Sequence, residues 1–452
     1  MKPQEQAALD FLESNGASSA ADICRALSIS QPTASRLLKA IEDEIFTLGA
    51  GKLTRYAVGK SIGSWPASQP IWRIDETGAA SQIGSLNFLA RQQIHLGGQG
   101  VSTIFEPSRL NPLPWLISGL RAQGFLGRIH AKQLGAMGLG DNPENWDTES
   151  ILISAIHTYD APGALLMGAS ASAKPNAATL IPSSDPSDVL DRLSHDVAST
   201  LPAGSSAAGE QPKFLAHNDK GESFVVKFSA NRGTPHGDRW SDLLIAEALA
   251  SEVLNDLGIT SAHNEVLHTD TRTYLLCPRF DRIASGRRHA VSLGAVHDAF
   301  IKSSYVNWFS SCNELARQGR LGPDEALTVH DIFRFGQLIG NTDMHSGNSA
   351  LFVHGDSLQE MLEGKFSIAP VYDMLPMRWR PDPSLGMQDY AQFDADYSMA
   401  PLHIRQAAKD FWLRLASHPR VSNELAMVAA KMSNQMGAVS QERPARKDAP
   451  RG

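Results

Sequence analysis

Lys227 stands alone inside the apolar run "FVVKF", between Val226 and Phe228. An ammonium among apolar neighbours costs free energy unless an anion compensates it or the stem lets it reach water at a sheet edge. The fold must therefore either place this strand at an edge or bring an anion to it. Glu247, twenty residues on in the amphipathic stretch "DRWSDLLIAEALASEVLNDLGI", reads either as that anion or as a solvated helix residue. A second polar concentration is "GNTDMHSGNSA", Gly340 to Ala350, between the apolar segments "FRFGQLI" and "LFV". Gly, Asn, Asp and Ser are ordinary turn residues, so a surface loop is one reading. A site holding a metal and a phosphate is the other. Asp343 lies five positions before Asn348, and Asp373 follows the apolar "IAPVY" thirty residues after Asp343. Carboxylate and amide oxygens are the hard ligands that magnesium takes beside phosphates.

Composition limits the remaining possibilities. A chain of 452 residues with 42% hydrophobic content can build two or three domains with proper cores. No apolar run has membrane length. The polar, acidic start "MKPQEQAALDFLESNG" does not read as a signal peptide. Cys24, Cys277 and Cys312 are widely spaced and odd in number, which fits a reducing cytoplasm without disulfides or a zinc site. The net charge of −7 means that any nucleic-acid contact must be a local patch.

Composition shifts divide the chain into residues 1–60, a Gly/Ser/Pro linker at 61–70, a subdomain at 71–165, a flexible connector at 166–200, a catalytic domain at 201–436 and a disordered tail at 437–452. Within 1–60, Ala7, Ala8, Phe11 and Leu12 form one helical stripe, and Ser19 to Asp22 reads as a capping box. Ser30 is placed to cap a third helix, with Pro32 near its start and Ala34, Leu37, Leu38 and Ile41 facing inward. "IFTLGAGKLTRYAV" then alternates around Gly49-Ala50-Gly51 as a hairpin. This order resembles the winged helix-turn-helix of bacterial transcription regulators. In that geometry Gln31, Thr33, Ser35 and Arg36 face base edges in double-stranded DNA, while Lys39, Lys52 and Arg55 neutralise phosphates. Seven Lys/Arg balance seven Asp/Glu in residues 1–60, so such a module can equally serve dimerisation. The subdomain reads as two strands around a Gly turn in "PIWRIDETGAASQIGSLNFL", followed by helix, with packing as its role.

A strand lysine, a helix glutamate, D-x-x-x-x-N and a later aspartate, in that order, are also the parts of protein kinases. Residues from about 70 to 420 resemble the HipA family of bacterial serine/threonine kinases, the toxins of type II toxin–antitoxin systems. Four motifs carry the resemblance: Ser206-x-Ala208-Gly209-x-Gln211-x-Lys213; Arg279-Phe280-Asp281-Arg282; Thr342-Asp343-x-His345-x-x-Asn348; and Pro370-x-Tyr372-Asp373-x-Leu375. The stretch "IASGRRHAVSLGAVHDAF" departs from the family pattern, and the winged helix is not part of the usual toxin.

The resemblance implies an α+β fold, a two-lobed kinase-like domain behind a small winged helix. It implies ATP and Mg²⁺ as cofactors. Asp343 would be the catalytic residue, with Asn348 and Asp373 holding the metal. Lys227 would contact the ATP phosphates with Glu247 behind it. Ser206 and Gly209 would lie in the loop over the phosphates, with Ser206 the inactivating autophosphorylation site. Cys277 and Phe280, in "TYLLCPRF", would fall at the hinge that meets adenine. His345 matches a family position in the nucleotide site, and on the residues alone it braces the loop. The implied partners are a protein of the translation machinery, such as an aminoacyl-tRNA synthetase, and duplex DNA bound by a homodimer. Two other classes stand beside this one: a transcription regulator with a nucleotide-sensing or pseudokinase body, and a metal-dependent nuclease.

Overall fold

The computed structural model describes residues 2–168, 179–200, 211–283, 285–382, 386–397 and 399–439. It divides into two compact units. The first comprises Met1–Pro175, Asp281–Phe300 and Leu351–Ser367; the second comprises Asn176–Phe280, Ile301–Ala350 and Ile368–Gly452.

The first unit opens with α1 (Pro3–Asn15), α2 (Ala20–Leu27) and α3 (Gln31–Ala40), then a hairpin of β1 (Ile45–Leu48) and β2 (Arg55–Val58). Ser19 and Asp22 make the reciprocal capping box that starts α2. Ser30 occupies the cap position of α3 but makes no side-chain cap bond; its hydroxyl meets the Thr33 hydroxyl at 2.9 Å. The buried face of α1 is Ala8, Leu9 and Leu12, with Ala7 and Phe11 only half-buried. These side chains close a small core with Ile23, Leu37, Leu38 and Ile41.

A five-stranded antiparallel sheet follows. Its order is Val101–Phe105, Ile94–Gly98, Ala80–Phe88, Ser68–Ile74 and Leu165–Met167. The first two of these strands had no place in the two-strand reading of the sequence. The expected linker at 61–70 is packed structure instead. Ile62 is fully buried, Ser68 begins a strand, and the Lys60 amide donates to the Phe88 carbonyl at 2.9 Å. The physical reason is that the hairpin needs cover. Leu48 and Ala57 bury against Leu89, and Gln93 accepts a hydrogen bond from the Ala17 amide at 2.8 Å. The module of three helices and a hairpin therefore does not stand apart from the sheet.

Asp281 and Arg282, from a motif quoted above, act within this unit as a tie. The Asp281 carboxylate accepts from the Gly163 amide at 2.7 Å and from Arg282 at 2.9 Å, and Arg282 continues to Asp160 at 2.7 Å. Gly163 has φ of +84°, and a Cβ there would lie 2.7 Å from the His289 ring. That bend needs glycine.

The second unit contains a five-stranded sheet in the order Glu265–His268, Thr273–Pro278, Ser223–Phe228, Lys213–Asn218 and Leu180–Ile181. Strand alternation sends Val226 and Phe228 to one face and Lys227 to the other. Val226 and Phe228 join Phe214, Tyr274 and Leu276. That apolar face needs a lid, and residues expected to be a flexible connector supply it. Ser187–Thr200 is a helix whose Val189, Leu190, Leu193 and Val197 pack on the sheet. Tyr274 donates to Asp191 of this helix at 2.6 Å. Against the opposite face lies the helix Pro235–Asp256, with Leu244 and Ala248 on Leu275 and Cys277.

The unit also contains the helices Trp308–Arg317, Pro323–Leu338, Leu402–Ser417 and Asn423–Val439. The last helix runs three residues into the stretch expected to be a disordered tail; residues 440–452 lie outside the described set.

Candidate active site

The Lys227 strand is central in its sheet, between Lys213–Asn218 and Thr273–Pro278. An edge location, the innocuous way to hold this lysine, is therefore excluded. Its anions are present. Lys227 Nζ lies 2.5 Å from Glu247 Oε1 and also donates to Asp373 Oδ1. The lysine and glutamate side chains are 7% and 2% exposed. Burial favours the neutral amine, but Asp373 and Glu247 outweigh it and raise the lysine above its ordinary range. Burial likewise works against the Asp373 carboxylate, yet Lys227 and then Lys213 hold it at about 2. For Glu247 burial is the larger effect and pushes the carboxyl up, with Lys227 pulling it back. Its second oxygen, Oε2, is buried without a hydrogen-bond partner among the described residues.

Asp373 has φ of +52°, a left-handed backbone that a non-glycine residue adopts at some strain. Asn341 fixes it there. The Asn341 amide nitrogen donates to the Asp373 carbonyl at 3.3 Å, while its Oδ1 accepts from the Asp343 amide at 3.0 Å. One nearly buried side chain thus ties the Asp373 turn to the Asp343 loop. Asn348 closes that loop by donating to the Asp343 carbonyl at 2.9 Å. His345 caps a single turn at Ser346–Asn348. Its Nδ1 accepts from the Gly347 amide at 3.0 Å, and its carbonyl accepts from the Trp308 indole at 2.8 Å. The Tyr372 hydroxyl donates to the Gly347 carbonyl at 2.8 Å. The polar loop of the sequence is therefore held at both ends and in the middle.

The structure brings Lys227, Glu247, Asp373, Asp343, Asn348 and His345 into one connected network. Cys277 shares the lysine's side of the sheet, and burial pushes its thiol well up. The Phe280 ring lies 5.7 Å from that of Tyr372. Ser206 and Gly209 fall outside the described residues. In the first unit, Gln31, Ser35, Arg36, Lys39 and Lys52 are exposed, while Thr33 and Arg55 are half-buried. Thr33 is further engaged with Ser30, so fewer side chains project outward from α3 than the helical wheel suggests.

Three participants have no chemical role in the sequence reading, although Lys213 closes one of the quoted motifs. Asn341 looked like one more turn residue. Lys213 stands directly across from Lys227 in the sheet register, a pairing that only strand alignment reveals. Arg380 lies 3.8 Å from Asp343, and nothing near it in sequence marks it.

Residues 205–439 match the HipA-like C-terminal domain, and residues 65–175 match the YjjJ-like toxin middle domain. Toxin YjjJ of Escherichia coli (strain K12) is 33% identical over 448 residues, covering 94% of this chain and 96% of that one. Among solved structures, HipA of Shewanella oneidensis MR-1, in a complex with HipB and its operator DNA, covers 81% of this chain and 96% of its own. It aligns with a TM-score of 0.50 at 16% identity, a likeness of fold. With that fold, the two matched domains and a full-length relative, the chain belongs to the HipA-like toxin family.

Proposed function

We propose that this chain is an ATP- and Mg²⁺-dependent serine/threonine protein kinase. The observation that carries the reading is the tie made by Asn341, which places the Asp343 loop beside an Asp373 already paired with Lys227. Kinase chemistry is mostly positioning and charge stabilisation, and these residues divide that work. Lys227, backed by Glu247, contacts nucleotide phosphates. Asp343 orients the acceptor hydroxyl and takes its proton.

The donor set suits magnesium. Asp373 offers a carboxylate, and Asn348, with its amide nitrogen committed to Asp343, keeps its carbonyl oxygen for a ligand. Two hard oxygens fit a cation that fills its other positions with water and substrate phosphates. Bound there, the metal would neutralise charge on the phosphates. Protein of the translation machinery is the acceptor class that the family resemblance suggests, and such a substrate places the chain in the cytoplasm.

The test is direct. Purified protein incubated with ATP and Mg²⁺ is expected to gain phosphate on Ser206 or Ser205, read by intact mass and peptide mapping. Phosphate there adds roughly −1.5 to −2 charges to the segment that the family resemblance sets near the ATP phosphates, and so shuts the enzyme off. Protein that turns ATP over on an added substrate but carries no phosphate at either serine refutes the self-inactivation. Protein that neither binds nor uses ATP refutes the kinase.

We further assign duplex DNA to the winged module, as the operator-bound HipA complex makes DNA a natural partner. Arg36, Lys39 and Lys52 are exposed on α3 and the hairpin, but so are Glu42, Asp43 and Glu44 just beyond α3. One copy should bind weakly, and useful affinity should need a dimer. In anisotropy titrations of the full chain, each lost phosphate contact should flatten the slope of log K against log salt by about 0.9. Lys52→Ala with Arg55→Ala should show that effect on every sequence. Arg36→Ala should instead cost about 1–3 kcal/mol on the preferred site alone. No salt-dependent binding at low ionic strength would make the module a protein-interaction surface.

A further inference from the structure

Phosphoryl transfer spreads negative charge over the group in flight, and enzymes place fixed cations there. The lysines of this site are committed to other carboxylates. Lys227 is paired with Glu247 and Asp373, and Lys213 acts on the same two carboxylates. His345, two positions after Asp343, uses Nδ1 to accept from the Gly347 amide. Arg380 is the cation that the structure sets beside Asp343. Its Nη1 lies 3.8 Å from Asp343 Oδ2, with the two side chains 38% and 30% exposed. It can therefore meet a ligand without leaving its place.

The backbone that carries Arg380 is built to stay still. Trp379, one residue before it, is 2% exposed and packs against Tyr390, Phe393 and Trp412. The Trp379 carbonyl accepts from the nearly buried Arg239 at 2.9 Å, and the same guanidinium nitrogen donates to the Gln388 carbonyl at 2.7 Å. Arg239 lies 3.8 Å over the Tyr390 ring, whose hydroxyl donates to Asp242 at 2.8 Å. Two residues earlier in the chain from Arg380, the Arg378 amide donates to the Gly340 carbonyl at the start of the Asp343 loop, at 3.2 Å. An exposed surface arginine needs no such scaffold. A guanidinium that must hold its position against a catalytic carboxylate does.

We propose that Arg380 is a catalytic residue that contacts the transferring phosphoryl group. This rests on the kinase reading above. In the step, the acceptor oxygen forms a bond to the γ-phosphorus as its proton passes to Asp343. The bond from that phosphorus to the β,γ-bridging oxygen breaks, and ADP leaves with the electron pair. Arg380 exchanges part of its attraction for Asp343 for the equatorial phosphoryl oxygens as they gather charge.

The experiment compares full-length wild type, Arg380→Ala and Arg380→Lys in two measurements. The first is kcat for phosphotransfer. The second is calorimetric affinity for MgADP with and without aluminium fluoride, which mimics the phosphoryl group in transit. Arg380→Ala should lower kcat about a hundredfold or more, leave MgADP affinity within about threefold, and lose the extra affinity that aluminium fluoride confers. Arg380→Lys should recover part of both, because an ammonium keeps the charge but not the fork. An Arg380→Ala enzyme as fast as wild type, or faster, overturns the proposal and makes Arg380 a brace or a brake on Asp343. Equal loss of MgADP and mimic binding also overturns it, since that would be a structural defect. A wild type that binds no MgADP refutes the kinase reading itself and takes this inference with it.

Discussion

Asp343→Asn is expected to lower phosphotransfer by about a hundred- to ten-thousandfold, the range that a positioned general base contributes, while the affinity for MgATP changes by less than about threefold. The substitution is nearly isosteric. The bonds that shape the loop go to the Asp343 backbone: its amide donates to Asn341 and its carbonyl accepts from Asn348. Losing the carboxylate charge therefore leaves the loop in place. Asp373→Asn should fail differently. It removes one charge from the donor set and one of the two anions beside Lys227, so calorimetry at fixed Mg²⁺ should show weakened nucleotide binding. If Asp343→Asn transfers phosphate as fast as wild type, the general base lies elsewhere. If both variants lose nucleotide equally, the division of labour between the two aspartates is wrong.

The residues that cluster at the candidate site were more legible in the sequence than the architecture around them. Lys227 was readable because a lone charge in an apolar run has few physical solutions, and the structure uses one of them. Its helix partner was only half readable, since Glu247 shares its composition with any solvated helix position. Asp343 and Asn348 showed as an excess of polarity between apolar segments. What tied them together, Asn341, did not, because an asparagine that joins two loops looks the same as one that makes a turn. Arg380 was invisible for a related reason. Its role comes from a tertiary brace that starts 141 positions away at Arg239. The connector at 166–200 was misread because Ser, Pro and Asp at 183–188 obscured the spacing of Val189, Leu190, Leu193 and Val197. That spacing is the apolar period of an amphipathic helix. The linker at 61–70 misled in the opposite way. Gly, Ser and Pro there make a tight packed crossing, stapled by paired Ile62 and Trp65.

Lys227→Met is expected to do the greatest harm to stability and to abolish nucleotide binding. Removing the ammonium leaves Glu247, 2% exposed, as a buried carboxylate whose second oxygen is already without a partner. Breaking a buried pair from one side costs about 3–5 kcal/mol, because the remaining charge has no compensation. Asp373 suffers less, since its side chain is 29% exposed and water can reach it. The double variant Lys227→Met/Glu247→Leu separates the two consequences. Apolar groups of similar volume in place of a buried pair are neutral or stabilising in comparable cases, so the double variant should recover most of the lost stability. It should recover no nucleotide binding, because the cation that meets the phosphates is gone. Denaturant titrations of the full chain measure the first effect and calorimetry with MgATP the second. A Lys227→Met protein as stable as wild type would mean that Glu247 takes up a proton or reaches water at no cost. A double variant that binds MgATP normally would remove Lys227 from the nucleotide site, and the pair would then be a structural feature of the sheet.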